Sequence, residues 1–332
     1  MAGNKEEFSS NLRGKKIVCI GGGKAMPKVV LEGLKRYPVK ISAVSAMLDS
    51  GGSAGQERKE YKTQVSFGDF RRAAIALSGV KDKDRERFSY RFVQGSLAGH
   101  VLANLYCSAE IMEQKNIEKS FNELVNDIRE DLAISPDYKI MPATLSNSHL
   151  AAELEDGRII IGEGNIDIPD HDGKLKIKNT FLIPKAKAYK GALREIKKAN
   201  LIVIGPGDLF TSLSQVLLAD GMAKAIRKSK AKKVYICNIM TKNGETNGFS
   251  VADFSNQIEK ILGTNLDHVI YSTSKPSDKT VKNYKKSREE LISLVKADKD
   301  LSKDKFIGGS FLKTGTLEHD SKKISKILIS LV

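Results

Sequence analysis

Four times in this chain, an apolar run the length of one buried strand breaks directly into a loop of Gly, Ser, Asp, Asn and Thr. The runs are Lys16 to Ile20, Val39 to Leu48, Leu201 to Ile204 and Lys233 to Cys237. The loops that follow are Gly21-Gly22-Gly23-Lys24, Asp49-Ser50-Gly51-Gly52-Ser53-Ala54-Gly55, Gly205-Pro206-Gly207-Asp208-Leu209-Phe210-Thr211-Ser212, and Asn238 with Thr241 to Gly248. Helical patterns stand between them, beginning with Pro27 to Lys35. Strands alternating with helices predict parallel strands joined by right-handed crossovers. In such a sheet ligands bind outside the carboxyl ends of the strands, which is where all four loops fall.

The rest of the chain fills in the same plan. Ser66 to Leu77 reads as a helix with Arg71 and Arg72 in its first turns, where basic residues oppose the macrodipole by a few tenths of a kcal/mol each. A functional partner for one of them, a phosphate or a carboxylate, would offset that cost. Lys81 to Arg87 is a charge run expected on a surface loop, and Gly95 to about Leu132 shows helical spacing twice, with His100 and Asn104 one turn apart on the first helix. From about 138 to 184 the pattern becomes β-rich: Asp156-Gly157 joins Leu150 to Leu154 with Arg158 to Ile161 as a hairpin, and Lys174 to Ile183 alternates. This insertion is a candidate lid or homodimer surface. Helices are then expected at Ala188 to Ala199, Thr211 to Lys228, Val251 to Leu262 and Tyr284 to Val295, with strands at Val269 to Tyr271 and Phe306 to Gly308 before a terminal amphipathic helix. The expected fold is α/β: one Rossmann-like domain over 1–332, a mostly parallel sheet with helices on both faces, a helical segment about 95–134 and a β-hairpin-rich insertion about 138–184.

Composition narrows the function classes. Three dispersed cysteines, Cys19, Cys107 and Cys237, form no CxxC pair and suit small core residues better than a disulfide framework or zinc. No apolar run approaches the ~20 residues of a membrane span, and Met1 to Lys16 lacks the apolar core of a signal peptide, so the expected compartment is the cytoplasm. The formal charge of +15 is spread over helical faces with no recognisable DNA- or RNA-binding module. Nucleic acid is therefore not an expected partner, whereas a positive field does attract phosphorylated ligands.

The loops supply the chemistry. Glycine turns let backbone amides approach an anion at a helix start, which suits Gly21, Gly22 and Gly23, with Lys24 beside them, and Gly205 and Gly207, with Asp208, Thr211 and Ser212. A tight turn without a ligand is the alternative for the first loop, because Met26 stands where G-x-G-x-x-G needs its third glycine. Asp49, followed by Ser50, Gly51, Gly52 and Ser53, is the discriminating carboxylate. It is also the best metal candidate and, in an enzyme, the catalytic group. Arg71, Asn238 and Thr241 complete the candidate site.

Gly21-Gly22-Gly23, Asp49 to Gly55, Gly68-Asp69-x-Arg71, Gly205 to Ser212 and Tyr235 to Gly248 together resemble the YvcK-type gluconeogenesis factor family, related to the 2-phospho-L-lactate transferase (CofD) superfamily. The resemblance implies a cytoplasmic regulator that binds a nucleotide sugar such as UDP-N-acetylglucosamine, linked to carbon metabolism and cell-wall growth. The alternative it implies is a Mg²⁺-dependent transferase of the 2-phospho-L-lactate type using a nucleoside-diphosphate-linked donor. The Gly205 to Ser212 form is nearer the gluconeogenesis factors. The chain departs from the pattern at Leu48, where a second aspartate is common, at Lys24-Ala25 and at His100. Losing one of two adjacent carboxylates weighs against metal chemistry at Asp49.

Overall fold

The computed structural model describes residues 11–112 and 116–332; the first ten residues, with most of the polar N-terminal segment, and 113–115, inside the helical segment, lie outside them. Twelve strands are present among the described residues: β1 (Lys16–Gly21), β2 (Lys40–Ser45), β3 (Tyr138–Pro142), β4 (His149–Leu154), β5 (Ile159–Ile161), β6 (Ile177–Ile183), β7 (Leu201–Ile204), β8 (Lys232–Ile236), β9 (Met240–Lys242), β10 (His268–Ser272), β11 (Leu291–Leu294) and β12 (Phe306–Gly309). Seven form one sheet in the order β12-β10-β8-β7-β1-β2-β3, every pair parallel. From β1 the chain builds outward to β2 and β3 on one side, then returns to place β7 on the other. The crevice between the carboxyl ends of β1 and β7 is thus the topological switch point of a doubly wound sheet.

Helices cover both faces, so the central strands are apolar throughout rather than alternating. Ile17, Cys19, Ile41, Ala43, Leu201 and Val203 pack on one side with Val30, Leu34, Phe70, Phe121 and Leu328. Val18, Ile20, Val44, Ile202 and Ile204 pack on the other with Phe210, Val216, Ile226, Phe254 and Ile258. Burial also explains the cysteines: all three are free and enclosed. Among the described residues no helix is long and apolar enough to cross a membrane.

Several boundaries differ from the sequence expectation. The β-rich stretch divides: β3 joins the parallel sheet beside β2, and only His149 to Ile183 forms the antiparallel sheet, in the order β5-β4-β6 with its hairpin turning at Gly157 (φ 87°). The charge run is a helix, Asp82–Ser89, whose acidic first turn and basic last turn agree with the macrodipole and which sets only Phe88, partly buried, against the core. The helix expected at 284–295 lies earlier, at Asp278–Lys286 under a Ser277 cap, because Leu291–Leu294 pairs antiparallel with β9 instead. His100 precedes its helix, which begins at Leu102. The acidic glycine loop is short, since a helix, Gly52–Glu60, already begins inside it.

Candidate functional site

The two glycine loops at the switch point touch each other. A side chain on Gly207 would lie 3.7 Å from the Gly22 carbonyl oxygen, and one on Gly23 would lie 3.9 Å from the Ser212 hydroxyl. Gly22 has no room for a side chain at all, because its Cβ would fall 1.8 Å from Asp69 Oδ2 and 3.1 Å from the Ala46 methyl. Each loop enters its helix through a π-helical turn, Met26–Leu31 and Leu209–Leu213; in the second, the Leu213 amide reaches back five residues to the Asp208 carbonyl at 2.9 Å. Gly21, Gly22, Gly23, Gly205, Gly207 and Ser212 are therefore brought together as expected from the sequence.

Asp49 stands beside them, held by a residue that motif reading passes over. Gln215 donates from Nε2 to Asp49 Oδ1 (3.3 Å) and to the Thr211 carbonyl (2.6 Å), while its Oε1 accepts from the Leu48 amide (2.8 Å). One amide thus fixes the loop after β2 to the helix after β7. Asp69 is buried against the Arg72 guanidinium. A Cβ on Gly68 would lie 3.4 Å from that guanidinium and 3.6 Å from Asp49 Oδ2, and the Arg72 charge acts on Asp49 as well as on Asp69. Burial, then the charges of Asp69 and Glu163, hold the Asp49 carboxyl well above its usual range; Arg72 and the Gln215 hydrogen bond only partly oppose them.

Glu163 comes from the insertion, at the start of the short helix Glu163–Asp167. Its Oε2 accepts from the amides of Ser50 (3.0 Å) and Gly51 (3.3 Å), and Ser50 Oγ accepts from the Gly164 amide (2.8 Å). Burial raises this carboxyl to about 7 although both amides favour its charged form.

Arg71 is placed differently from its role in the sequence argument. It points into the protein and donates from Nε to Asn104 Oδ1 at 2.9 Å, with burial lowering its pKa to about 10. Its neighbour Arg72 faces the acidic loop. His100 is likewise internal, 3.0 Å from Glu57 Oε1, with both side chains buried. Exposed Lys24 feels charges from other segments: after its own partial burial, Arg288, Arg72 and Arg91 lower its pKa, and Glu290 partly opposes them. Arg91 Nη1 donates to Ser53 Oγ (3.2 Å) and to the Gly99 carbonyl.

On the far side of the second glycine loop lies a separate charged cluster. Lys242 on β9 reaches Asp208 (3.1 Å), Glu245 (2.8 Å) and Asp167, from the insertion. Burial alone would depress the ammonium, but Glu245, Asp208 and Asp167 outweigh it and raise its pKa. Burial in turn lifts Glu245 to about 7 against the pull of Lys242. Thr211 belongs to this cluster, its hydroxyl 3.1 Å from Glu245 Oε1 and 3.5 Å from Asp167 Oδ1. Two expected site residues stand elsewhere: Thr241 bonds to Ser293 Oγ at 2.9 Å between β9 and β11, and Asn238 lines a cavity of about 20 Å³ with Tyr271, Ser272 and Val295. Both follow β8, whose polar loop the sequence pattern groups with the site, but the chain turns there into the β9–β11 strand pair.

The sequence matches the 2-phospho-L-lactate transferase CofD family over residues 17–307. It is 35% identical over 328 residues to a gluconeogenesis factor of Halalkalibacterium halodurans, covering 96% of this chain and 97% of that one. A gluconeogenesis factor of Bacillus subtilis is 33% identical over 327 residues, covering 96% and 98%. The chain belongs to the YvcK-type gluconeogenesis factor family. A crystal structure of a Bacillus halodurans protein superposes with a TM-score of 0.85 at 35% identity, covering 96% of this chain and all of that one. The family's fold thus accounts for the Rossmann-like sheet and the hairpin insertion together.

The Mg²⁺ of the CofD-type transferases is a poor fit to the residues present. At Asp49 one carboxylate oxygen already accepts from the Gln215 amide, and the carboxyl is held toward its protonated form, which suits a metal ligand poorly. Asp167, Asp208 and Glu245 do have carboxylate oxygens within 4.8 Å of one another. The Lys242 ammonium, itself buried, already stands among them.

Proposed function

We propose that this chain is a cytoplasmic regulatory protein of the gluconeogenesis factor type that binds a nucleotide sugar, UDP-N-acetylglucosamine or a close relative, at the β1/β7 switch point. The observation that carries the reading is the meeting of two glycine loops at one crevice, with Lys24 beside them in the electrostatic field of Arg72, Arg91 and Arg288. Like charges held together in this way favour a polyanion between them. The diphosphate takes backbone amides from Gly21 to Gly23 and Gly205 to Gly207, the Ser212 hydroxyl and the Lys24 ammonium. Asp49, whose carboxyl is held toward its protonated form, both donates and accepts hydrogen bonds and so reads hydroxyls of the ribose or the sugar.

Calorimetric titration with UDP-sugars, nucleoside diphosphates and NAD, each with and without Mg²⁺, tests this. Saturable binding of a UDP-sugar is expected, and Lys24→Ala should weaken it about 10- to 100-fold, the loss of one charge-assisted hydrogen bond. No saturable heat with any UDP-sugar would end the proposal.

A further inference from the structure

We infer that Lys242 is a built-in cation that takes the place a divalent metal ion would occupy among Asp167, Asp208 and Glu245. The three acids come from three separate stretches: the end of the insertion's short helix, the second glycine loop and the turn after β9. Their oxygens are close enough to share one ion, and hard oxygen donors of this kind are what Mg²⁺ or Mn²⁺ takes. Three carboxylates this close repel one another strongly unless a cation stands between them. Lys242 is that cation, 6% exposed and in contact with all three.

The consequence is structural as well as electrostatic. The ammonium ties the insertion to the loop that flanks the β1/β7 crevice, and Thr211, hydrogen-bonded to Glu245, carries that tie into the following helix. The Gly205 to Ser212 loop is therefore held by a covalently attached charge. Its order does not vary with the divalent ion concentration. The inference does not depend on the identity of the ligand in the crevice.

The test is thermal unfolding and Mn²⁺ binding, measured on the whole chain. For the wild type, Tm should be the same in EDTA and in millimolar Mg²⁺ or Mn²⁺, and equilibrium dialysis should find no Mn²⁺ whose binding is lost on Asp208→Asn. Lys242→Met should have a lower Tm in EDTA, because three acids are left without their cation. Millimolar Mn²⁺ should raise the Tm of that variant by at least about 3 °C, with one ion bound. If Lys242→Met does not fold without metal, Lys242→Met/Glu245→Gln restores the cluster's native net charge; it should fold in EDTA and respond to Mn²⁺ less than a folded, metal-loaded Lys242→Met. Stoichiometric, Asp208-dependent Mn²⁺ binding by the wild type overturns the inference. So does a Lys242→Met protein as stable as wild type and indifferent to metal.

Discussion

Glu163 shows how one side chain joins the insertion to the acidic loop, and its raised pKa predicts the sign of a pH dependence of the fold. Its pKa is raised in the fold from an ordinary 4.5 to about 7. An acid whose folded pKa is raised contributes stability that is complete below 4.5 and is lost as pH climbs through about 7. Glu163→Gln keeps an oxygen to accept from Ser50 and Gly51 without the buried charge. Its Tm, relative to wild type, should therefore rise between pH 4.5 and 7 and level off above; a difference independent of pH would show that Glu163 does not titrate there. Residues of this kind were not legible in the sequence. Glu163 and Gln215 belong to no motif, and they reach the Asp49 loop only because the fold brings together segments more than a hundred positions apart; Arg72 stood out as a basic residue at a helix start, but its acidic partner did not. Asp49 and the glycines were legible because their local backbone demands, turns and helix starts, are written in adjacent residues.

At the scale of elements, the strands and their loops followed from local pattern, while the pairing of short strands did not. β1 and β7 are nearly continuous apolar runs, and β2 and β8 are mostly buried, because both faces are covered, and such runs are visible without a partner. β9 is three residues and β11 four, and each is a strand only through the other, so the sequence around them read as loop and as helix. The first glycine loop makes a prediction of its own. Asp69, fixed by Arg72, leaves no space above Gly22, so Gly22→Ala should destabilise the protein by about 1–3 kcal/mol in denaturant unfolding. An unchanged unfolding midpoint would mean that Asp69 moves freely, and that the two loops are not packed as described.

For the whole molecule, the sheet order puts the switch point of a doubly wound fold between β1 and β7, where the proposed ligand sits, and the charge of +15 suits a phosphorylated one. The excess is not concentrated in one segment of the sequence; what the fold adds is that Arg72, Arg91 and Arg288, from separate segments, act on Lys24 in the first glycine loop. Hydrogen exchange of the backbone amides with and without saturating UDP-N-acetylglucosamine tests this placement directly. The amides of Gly21 to Lys24 and of Gly205 to Ser212 should slow together on binding. Binding that leaves both loops unchanged, with protection confined to other surfaces, would contradict it.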